Sequence, residues 1–382
     1  MNTVNSDVSK IHVCHVLSGY HRNDPRIFHR QCKSMLSFGY SVSIITNDGL
    51  PDEIVDEIHI KCINSKYSSR AINLLFAKFQ FIKLAIEMNA DVYQLHSPEL
   101  ISLGIALKKR GKKVIYDAHE DMPRHILEKH WIPTLLRKIV SRYVEFYMRY
   151  YLKKYDGIIS PHQHVVDDLL TINDNVELIT NFAIVKEKIE VSREQFYEKL
   201  NILCYSGTCY LHSNQIQILN AIADMNVNYW IAGSISPNLY SEMEKNKSFE
   251  KIKYFGRLSW EKLDEFYSNC GVGMVVLDYK MNWGGKKGTY AVNKMFEYME
   301  ASLPIICSDY EMWKEVIEKY NCGLYVEPGN VDQISKAIHF MLSNPDQAFK
   351  MGQNGRKAII EEYNWEKEEQ KYFVFCSKIF NQ

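Results

Sequence analysis

Short apolar runs alternate with longer helical patterns along the whole chain, and the alternation breaks only once, in a charged stretch near the middle. Before the break, Ile11–Ser18, Ser41–Asn47, Ile58–Ile63, Asp91–His96, Lys113–Asp117, Gly157–Ser160 and Val176–Thr180 read as strands. Between them Arg26–Phe38, Ala71–Met88, Glu99–Arg110, Pro133–Lys154 and His162–Leu170 have helical periodicity. After it, Asn201–Ser206, Val227–Ala232, Ile252–Phe255, Gly271–Leu277, Leu303–Ser308 and Gly323–Val326 are strands, again separated by helices. Several strands are apolar without alternation, as strands covered on both faces of a parallel sheet must be. This order predicts an α/β chain with two doubly wound parallel sheets.

The break, Val185-Lys-Glu-Lys-Ile-Glu-Val-Ser-Arg-Glu, loses its apolar period. It predicts a first domain over 1–187, a second over 188–363, and a closing helix over 364–382. That helix has an apolar face (Trp365, Tyr372, Phe373, Cys376, Ile379, Phe380) to bury, and returning to the first domain would bury it. A length of 382 residues suits two domains. With 46% apolar and 24% charged residues the chain is not disordered. Basic and acidic residues balance at 46 each, which argues against a nucleic-acid binder. The nine cysteines form no C-x-x-C pair, so neither a zinc site nor a disulfide framework is indicated. Met1–Lys10 has no apolar signal core and no run approaches ~18 apolar residues, so a cytoplasmic protein is expected.

Open parallel sheets bind ligands beyond the carboxyl ends of their strands, and two such edges facing each other predict an interdomain cleft. The first strand runs into Ser18-Gly19-Tyr-His-Arg22-Asn-Asp24-Pro25-Arg26, where Gly19 permits close approach and Arg22 and Arg26 add charge near a helix start. Asp24 and Pro25 also fit a helix cap. No G-x-G-x-x-G follows the strand, against a dinucleotide fingerprint. Two later strand ends carry His96-Ser-Pro-Glu99 and Asp117-Ala-His119-Glu120-Asp121. A neutral histidine there can bond a sugar hydroxyl or a backbone carbonyl. His96, His119, Glu120 and Asp121 lack diagnostic metal-ligand spacing, and no metal is expected.

The densest signal is Trp283-Gly-Gly-Lys286-Lys287-Gly-Thr289-Tyr-Ala-Val-Asn293-Lys294-Met-Phe-Glu297. Glycines, ammonium groups and a helix start suit a diphosphate, and Glu297, about one turn in, is in reach of ribose hydroxyls.

Lys294-Met-Phe-Glu297-Tyr-Met-Glu-Ala-Ser-Leu-Pro304 and Gly323-Leu-Tyr-Val-Glu-Pro328 resemble the donor-nucleotide segments of retaining glycosyltransferases of family four. Asp24-Pro-Arg26-Ile-Phe, Gly39-Tyr-Ser-Val, His96-Ser-Pro-Glu99-Leu and Tyr116-Asp-Ala-His119-Glu-Asp resemble a bacterial surface-polysaccharide (O-antigen or capsule) branch. The resemblance implies the GT-B fold, two Rossmann-like domains around a cleft. It implies that Glu297 contacts the ribose, that Asn293 and Lys294 lie by the diphosphate, and that His119 lies near the transferred sugar. The family's Glu-x7-Glu is broken, because Thr289 stands eight residues before Glu297. Its Gly-Arg…Lys phosphate pair would fall in Gly207–Ser213, which lacks both cations; Lys286, Lys287, Lys294 or Arg257 would then compensate.

The implied activity is retaining transfer of a hexose or N-acetylhexosamine from a nucleotide sugar to a lipid-linked oligosaccharide acceptor, without metal or other cofactor. Trp131–Lys154 mixes six basic residues with six aromatics and suits an anionic membrane surface, which implies an enzyme peripheral on the inner face of the cytoplasmic membrane. A catalytically silent GT-B protein binding nucleotide or glycan, or a sugar-nucleotide epimerase, are the competing readings.

Overall fold

The computed structural model describes residues 10–63, 70–129, 131–187 and 191–381. Met1–Ser9 and residues 188–190 of the charged run lie outside them. The chain divides into two compact units. One runs to Thr180 and resumes at Glu368; the other is Asn181–Lys367.

The first unit holds eight strands: β1 (His12–Val16), β2 (Ser41–Thr46), β3 (Glu53–Val55), β4 (Ile58–Cys62), β5 (Val92–Leu95), β6 (Lys113–Asp117), β7 (Gly157–Ser160) and β8 (Val176–Leu178). They lie in the order β3-β4-β2-β1-β5-β6-β7-β8. All neighbours are parallel except β3 and β4. The strand β3 was not expected: its turn, Asp56-Glu57, takes φ of 48° and 65°, a hairpin conformation normally signalled by Gly or Asn. β1 pairs on one side with β2 and on the other with β5, so the order reverses there, and ligands bind at such a switch point. Residues just after β1, β5, β6 and β7 therefore meet at one edge.

The second unit is a six-stranded parallel sheet: β9 (Ile202–Ser206), β10 (Asn228–Ala232), β11 (Ile252–Gly256), β12 (Val272–Val275), β13 (Ile305–Ser308) and β14 (Gly323–Val326), in the order β11-β10-β9-β12-β13-β14. Its switch point lies between β9 and β12.

The boundary falls earlier than residue 187. Phe182 already belongs to the second core, its ring 4.7 Å from Phe296 and 5.3 Å from Tyr363, and Ala183 bridges Asn364. The closing helix, Trp365–Phe380, joins the first unit from Glu368 on. There the Glu368 carboxylate accepts the Thr180 amide at 2.7 Å, Phe373 packs tilted against Phe38, and Phe380 meets Tyr40 edge-on. A methyl group on Gly157 would lie 2.3 Å from Ile379, so that position in β7 must lack a side chain for the helix to dock. All nine cysteines carry free thiols, eight of them buried in these cores. Among the described residues no helix is long and apolar enough to cross a membrane.

Candidate functional site

At the first unit's switch point a buried carboxylate gathers its neighbours. Asp117, the last residue of β6, is fully buried. Arg26 grips it with Nε at 2.9 Å from Oδ2 and an Nη at 2.8 Å from Oδ1, and Gln31 Nε2 donates to Oδ2 at 2.7 Å. His96 Nδ1 and His119 Nε2 lie 3.3 and 3.1 Å from the same oxygen. Arg26 and Gln31 share this target because the helix opens with a wide turn, in which Gln31 N–H donates to Arg26 C=O five residues back. Burial alone would raise the Asp117 pKa; Arg26 and the histidines overcome it and hold the carboxyl well below the usual range.

A row of imidazoles continues inward. His15 Nδ1 meets His96 Nε2 at 3.0 Å, and His96 Nδ1 meets His119 Nε2 at 3.1 Å. Burial pushes His96 down to about 4 and His15 well below its ordinary value, so both are neutral at pH 7. His96 is thus an interior residue rather than a direct ligand contact. His119 keeps a partly open ring, packed on Tyr20 at 4.8 Å between centroids. Its carbonyl accepts from His162 Nε2 at 3.0 Å.

The first βα loop does not supply a free anion site. Arg22 is engaged with Asp48 and Glu53 and with the carbonyls of Leu50 and Pro51, and Arg26 with Asp117 and the Ile179 carbonyl. Asp24 caps the helix start, accepting the Arg26 and Ile27 amides at 2.9 and 3.1 Å. Gly19 has φ of 79° and donates its amide to Asn47 Oδ1. Glu99 accepts from Ser18 Oγ at 2.8 Å, and Glu120 pairs with His125.

In the second unit three neighbouring strands each end on a glycine. Gly207, Gly233 and Gly256 follow or close β9, β10 and β11 with φ of 108°, 137° and 66°. A methyl group on Gly233 would lie 2.0 Å from the Gly207 carbonyl oxygen. The result is a strip of bare backbone at the sheet edge, open to a flat or anionic ligand. Of the three, only Gly207 is among the site residues expected from the sequence.

Lys294 lies against this strip. A methyl group on Gly207 would meet its Nζ at 2.9 Å, and Nζ lies 5.4 Å from the Tyr205 ring centre. No carboxylate among the described residues is within ion-pair distance of it. Burial pushes its ammonium below the usual lysine range, with Glu297 partly opposing. The helix it sits on, Asn293–Glu300, has no capping side chain, so its first amides are free for an anion. Asn293 Oδ1 is buried there without a partner among the described residues. Glu297 Oε2 accepts from the Tyr267 hydroxyl at 3.0 Å, and that hydroxyl lies 2.8 Å from Ser206 Oγ, which fixes the carboxylate. Nearby, burial with Lys280 and Lys294 lowers His212 to about 4, leaving a neutral ring.

The other expected donor residues divide. Lys286 turns toward Asp309 at 3.7 Å, and the carbonyls of Lys286 and Lys287 accept the Glu311 and Met312 amides. That loop is thereby tied to the Glu311–Tyr320 helix rather than free to fold over a phosphate. Thr289 is buried and its hydroxyl accepts the Ala291 amide, so it supports the loop from within. Arg257 donates to Ser234 Oγ at 2.8 Å beside the glycine strip. Lys294 is thus the one of these cations that lies against Gly207.

Residues 26–185 match the family described as Glycosyltransferase Family 4, and residues 186–358 the one described as Glycosyl transferases group 1. No curated protein matches the sequence. Among solved structures, sucrose-phosphate synthase from Thermosynechococcus elongatus gives a TM-score of 0.74 at 16% identity, over 97% of this chain and 100% of that one. Anabaena HepE in complex with UDP and glucose gives 0.70 at 11%, over 96% and 100%. WaaG, a glycosyltransferase involved in lipopolysaccharide biosynthesis, gives 0.68 at 14%, over 95% and 99%. At such identities the likeness is one of fold. With a family 4 domain followed by a group 1 domain, each on an open parallel sheet, the chain is a glycosyltransferase of the GT-B type.

Proposed function

We propose that this glycosyltransferase transfers a hexose or N-acetylhexosamine, with retention, from a nucleotide sugar to a lipid-linked glycan in bacterial surface-polysaccharide synthesis. The observation that carries the donor reading is Lys294, an ammonium with no carboxylate in ion-pair distance among the described residues, set between a bare glycine strip and an uncapped helix start. HepE, solved with UDP and glucose, and WaaG, involved in lipopolysaccharide biosynthesis, support the donor and pathway class. As the anomeric bond breaks, charge builds on the departing β-phosphate. Lys294 and the first amides of its helix are pre-oriented to stabilise that charge, so the reading needs no metal ion. Glu297, held by Tyr267, accepts from ribose hydroxyls, and His119 contacts the transferred sugar. Glu297→Ala is expected to weaken nucleoside-diphosphate affinity about 10–100-fold, the loss of a charged hydrogen bond, whereas His119→Ala lowers kcat more than donor affinity. Wild-type kinetics in both variants would remove this site assignment; nucleotide binding without turnover of any donor would favour the silent reading.

The acceptor side of the proposal rests on the Thr134–Leu152 helix. It buries Ser141, Met148 and Leu152, while Leu135, Ile139, Tyr143 and Phe146 on its open side, with the preceding Trp131, are 65–81% exposed. At ~100° per residue Lys138, Arg142 and Arg149 fall on an adjoining stripe. A basic stripe beside an exposed apolar one fits a helix lying in the surface of an anionic bilayer. Sedimentation with phosphatidylglycerol vesicles should carry the protein down, with neutral vesicles much less, and Ile139→Glu with Phe146→Glu should cut binding at least ~10-fold without unfolding it. Equal binding to both lipids, or none, would contradict this.

A further inference from the structure

We infer that a relay of three buried hydroxyls, Tyr298, Ser206 and Tyr267, commits one oxygen of Glu297 to the protein and leaves the other to the ribose, so that Tyr267 is the positioning residue on which a preference for ribonucleotides depends. This rests on the reading of Glu297 as the ribose contact and adds which oxygen makes it and what aims it.

Three elements of the second unit bring the relay together. Ser206 closes β9, Tyr267 lies on the Trp260–Ser268 helix, and Tyr298 follows Glu297 on the Asn293–Glu300 helix. All three are buried, so their hydroxyls must find partners within the protein. Tyr298 has room to reach Ser206 because β12 carries a glycine beside its ring: a methyl group on Gly273 would lie 2.4 Å from it. The Tyr298 hydroxyl accepts the Ser206 amide at 2.8 Å and lies 3.2 Å from Ser206 Oγ.

The direction of the relay follows from its end. A carboxylate takes hydrogens and gives none, so Tyr267 donates to Glu297 Oε2 at 3.0 Å. A hydroxyl has a single hydrogen. Across 2.8 Å Tyr267 therefore accepts from Ser206 Oγ, and across 3.2 Å Ser206 Oγ accepts from Tyr298. Burial and the charge of Glu297 raise the Tyr267 pKa well above the usual tyrosine range, which keeps its hydroxyl a donor. Every hydrogen of the relay thus points toward Glu297, and Oε2 is held by the protein. Oε1 has no hydrogen bond or ion pair among the described residues, and Glu297 and Tyr267 line a cavity together with Ala183, Ile184 and Leu263. Oε1 is the oxygen left for a ribose hydroxyl.

The test is calorimetric titration of the wild type and of Tyr267→Phe with UDP, GDP, CDP and ADP, each beside its 2′,3′-dideoxy form. For the nucleotide that binds, the dideoxy form should bind the wild type about 10–100-fold more weakly, the size of a hydrogen bond to a charged group. Tyr267→Phe keeps the ring and its edge contact with Tyr298, 5.5 Å between centroids, and removes only the hydroxyl. It should weaken the ribonucleotide about 10-fold and leave the dideoxy form nearly unchanged, so that the ratio of the two affinities falls. A tyrosine that only supports the fold would weaken both forms alike, and a wild-type ratio in the variant overturns the inference. If Tyr267→Phe does not fold, Ser206→Ala, which removes the donor that holds Tyr267, decides by the same ratio: a fall supports the relay and an unchanged ratio overturns it. Equal binding of both forms by the wild type would instead remove the ribose reading of Glu297, and this inference with it.

Discussion

Lys294→Met is expected to lower kcat by about 10²–10³-fold, the scale on which one pre-oriented charge-stabilising group acts in a closed site. Methionine matches the length of the lysine stem, so its contact with Gly207 and the Tyr205 ring survives and only the charge is lost. Stability should move the other way. Burial lowers the folded-state pKa of Lys294 below its unfolded value. The charged form therefore carries a folding penalty that is fully present below the folded pKa and fades as pH rises past it toward the unfolded value. At neutral pH the variant should melt at or above the wild-type temperature. A large fall in Tm alongside the fall in kcat would show that Lys294 holds the fold and would remove it from the chemistry.

Arg26→Leu should produce the largest loss of stability. It strands Asp117 as a buried carboxylate facing His96, His119 and an amide, and breaking a buried pair on one side costs about 3–5 kcal/mol. At roughly 2–4 °C per kcal/mol for a unit of this size, the first unit should melt about 6–20 °C lower. The sign with pH follows from the carboxyl. Its folded pKa lies well below the unfolded value, so the pair's contribution is present above the unfolded carboxylate pKa and is lost as pH falls through the folded one. The gap between wild type and variant should therefore narrow in acid. Calorimetry at neutral and acid pH checks both; an unchanged Tm would mean that Asp117 is not held ionised by Arg26.

The two sheets were legible because buried parallel strands leave continuous apolar runs, but their switch points were not, because strand order depends on pairing between segments far apart in sequence. Of the glycines that end β9, β10 and β11, only Gly207 was legible, because the strip they form depends on which strands lie side by side. Charge partners were not. Nothing local to Arg22 says that it will be saturated by Asp48, Glu53 and two carbonyls, so it read as available charge. Asp117 read as a strand end because its partners lie 91, 86 and 21 positions away, and the wide turn that aligns Arg26 with Gln31 departs from the helical period on which the reading relied. The Lys286-Lys287 loop read as suited to a diphosphate without sign of its ties to Glu311 and Met312, which run through backbone atoms that the sequence does not distinguish.

The central claim is that the second unit binds a nucleoside diphosphate through Lys294 without a metal. Thermal shift tests it most directly, with UDP, GDP, CDP, ADP and their sugars, in EDTA, on the wild type and on Lys294→Met. At 100 times its dissociation constant a ligand adds ~2.7 kcal/mol, or roughly 5–10 °C for a unit of this size. The account predicts such a shift for one nucleotide family in the wild type, sharply reduced in the variant. No shift with any nucleotide, or an equal shift in both proteins, would contradict it.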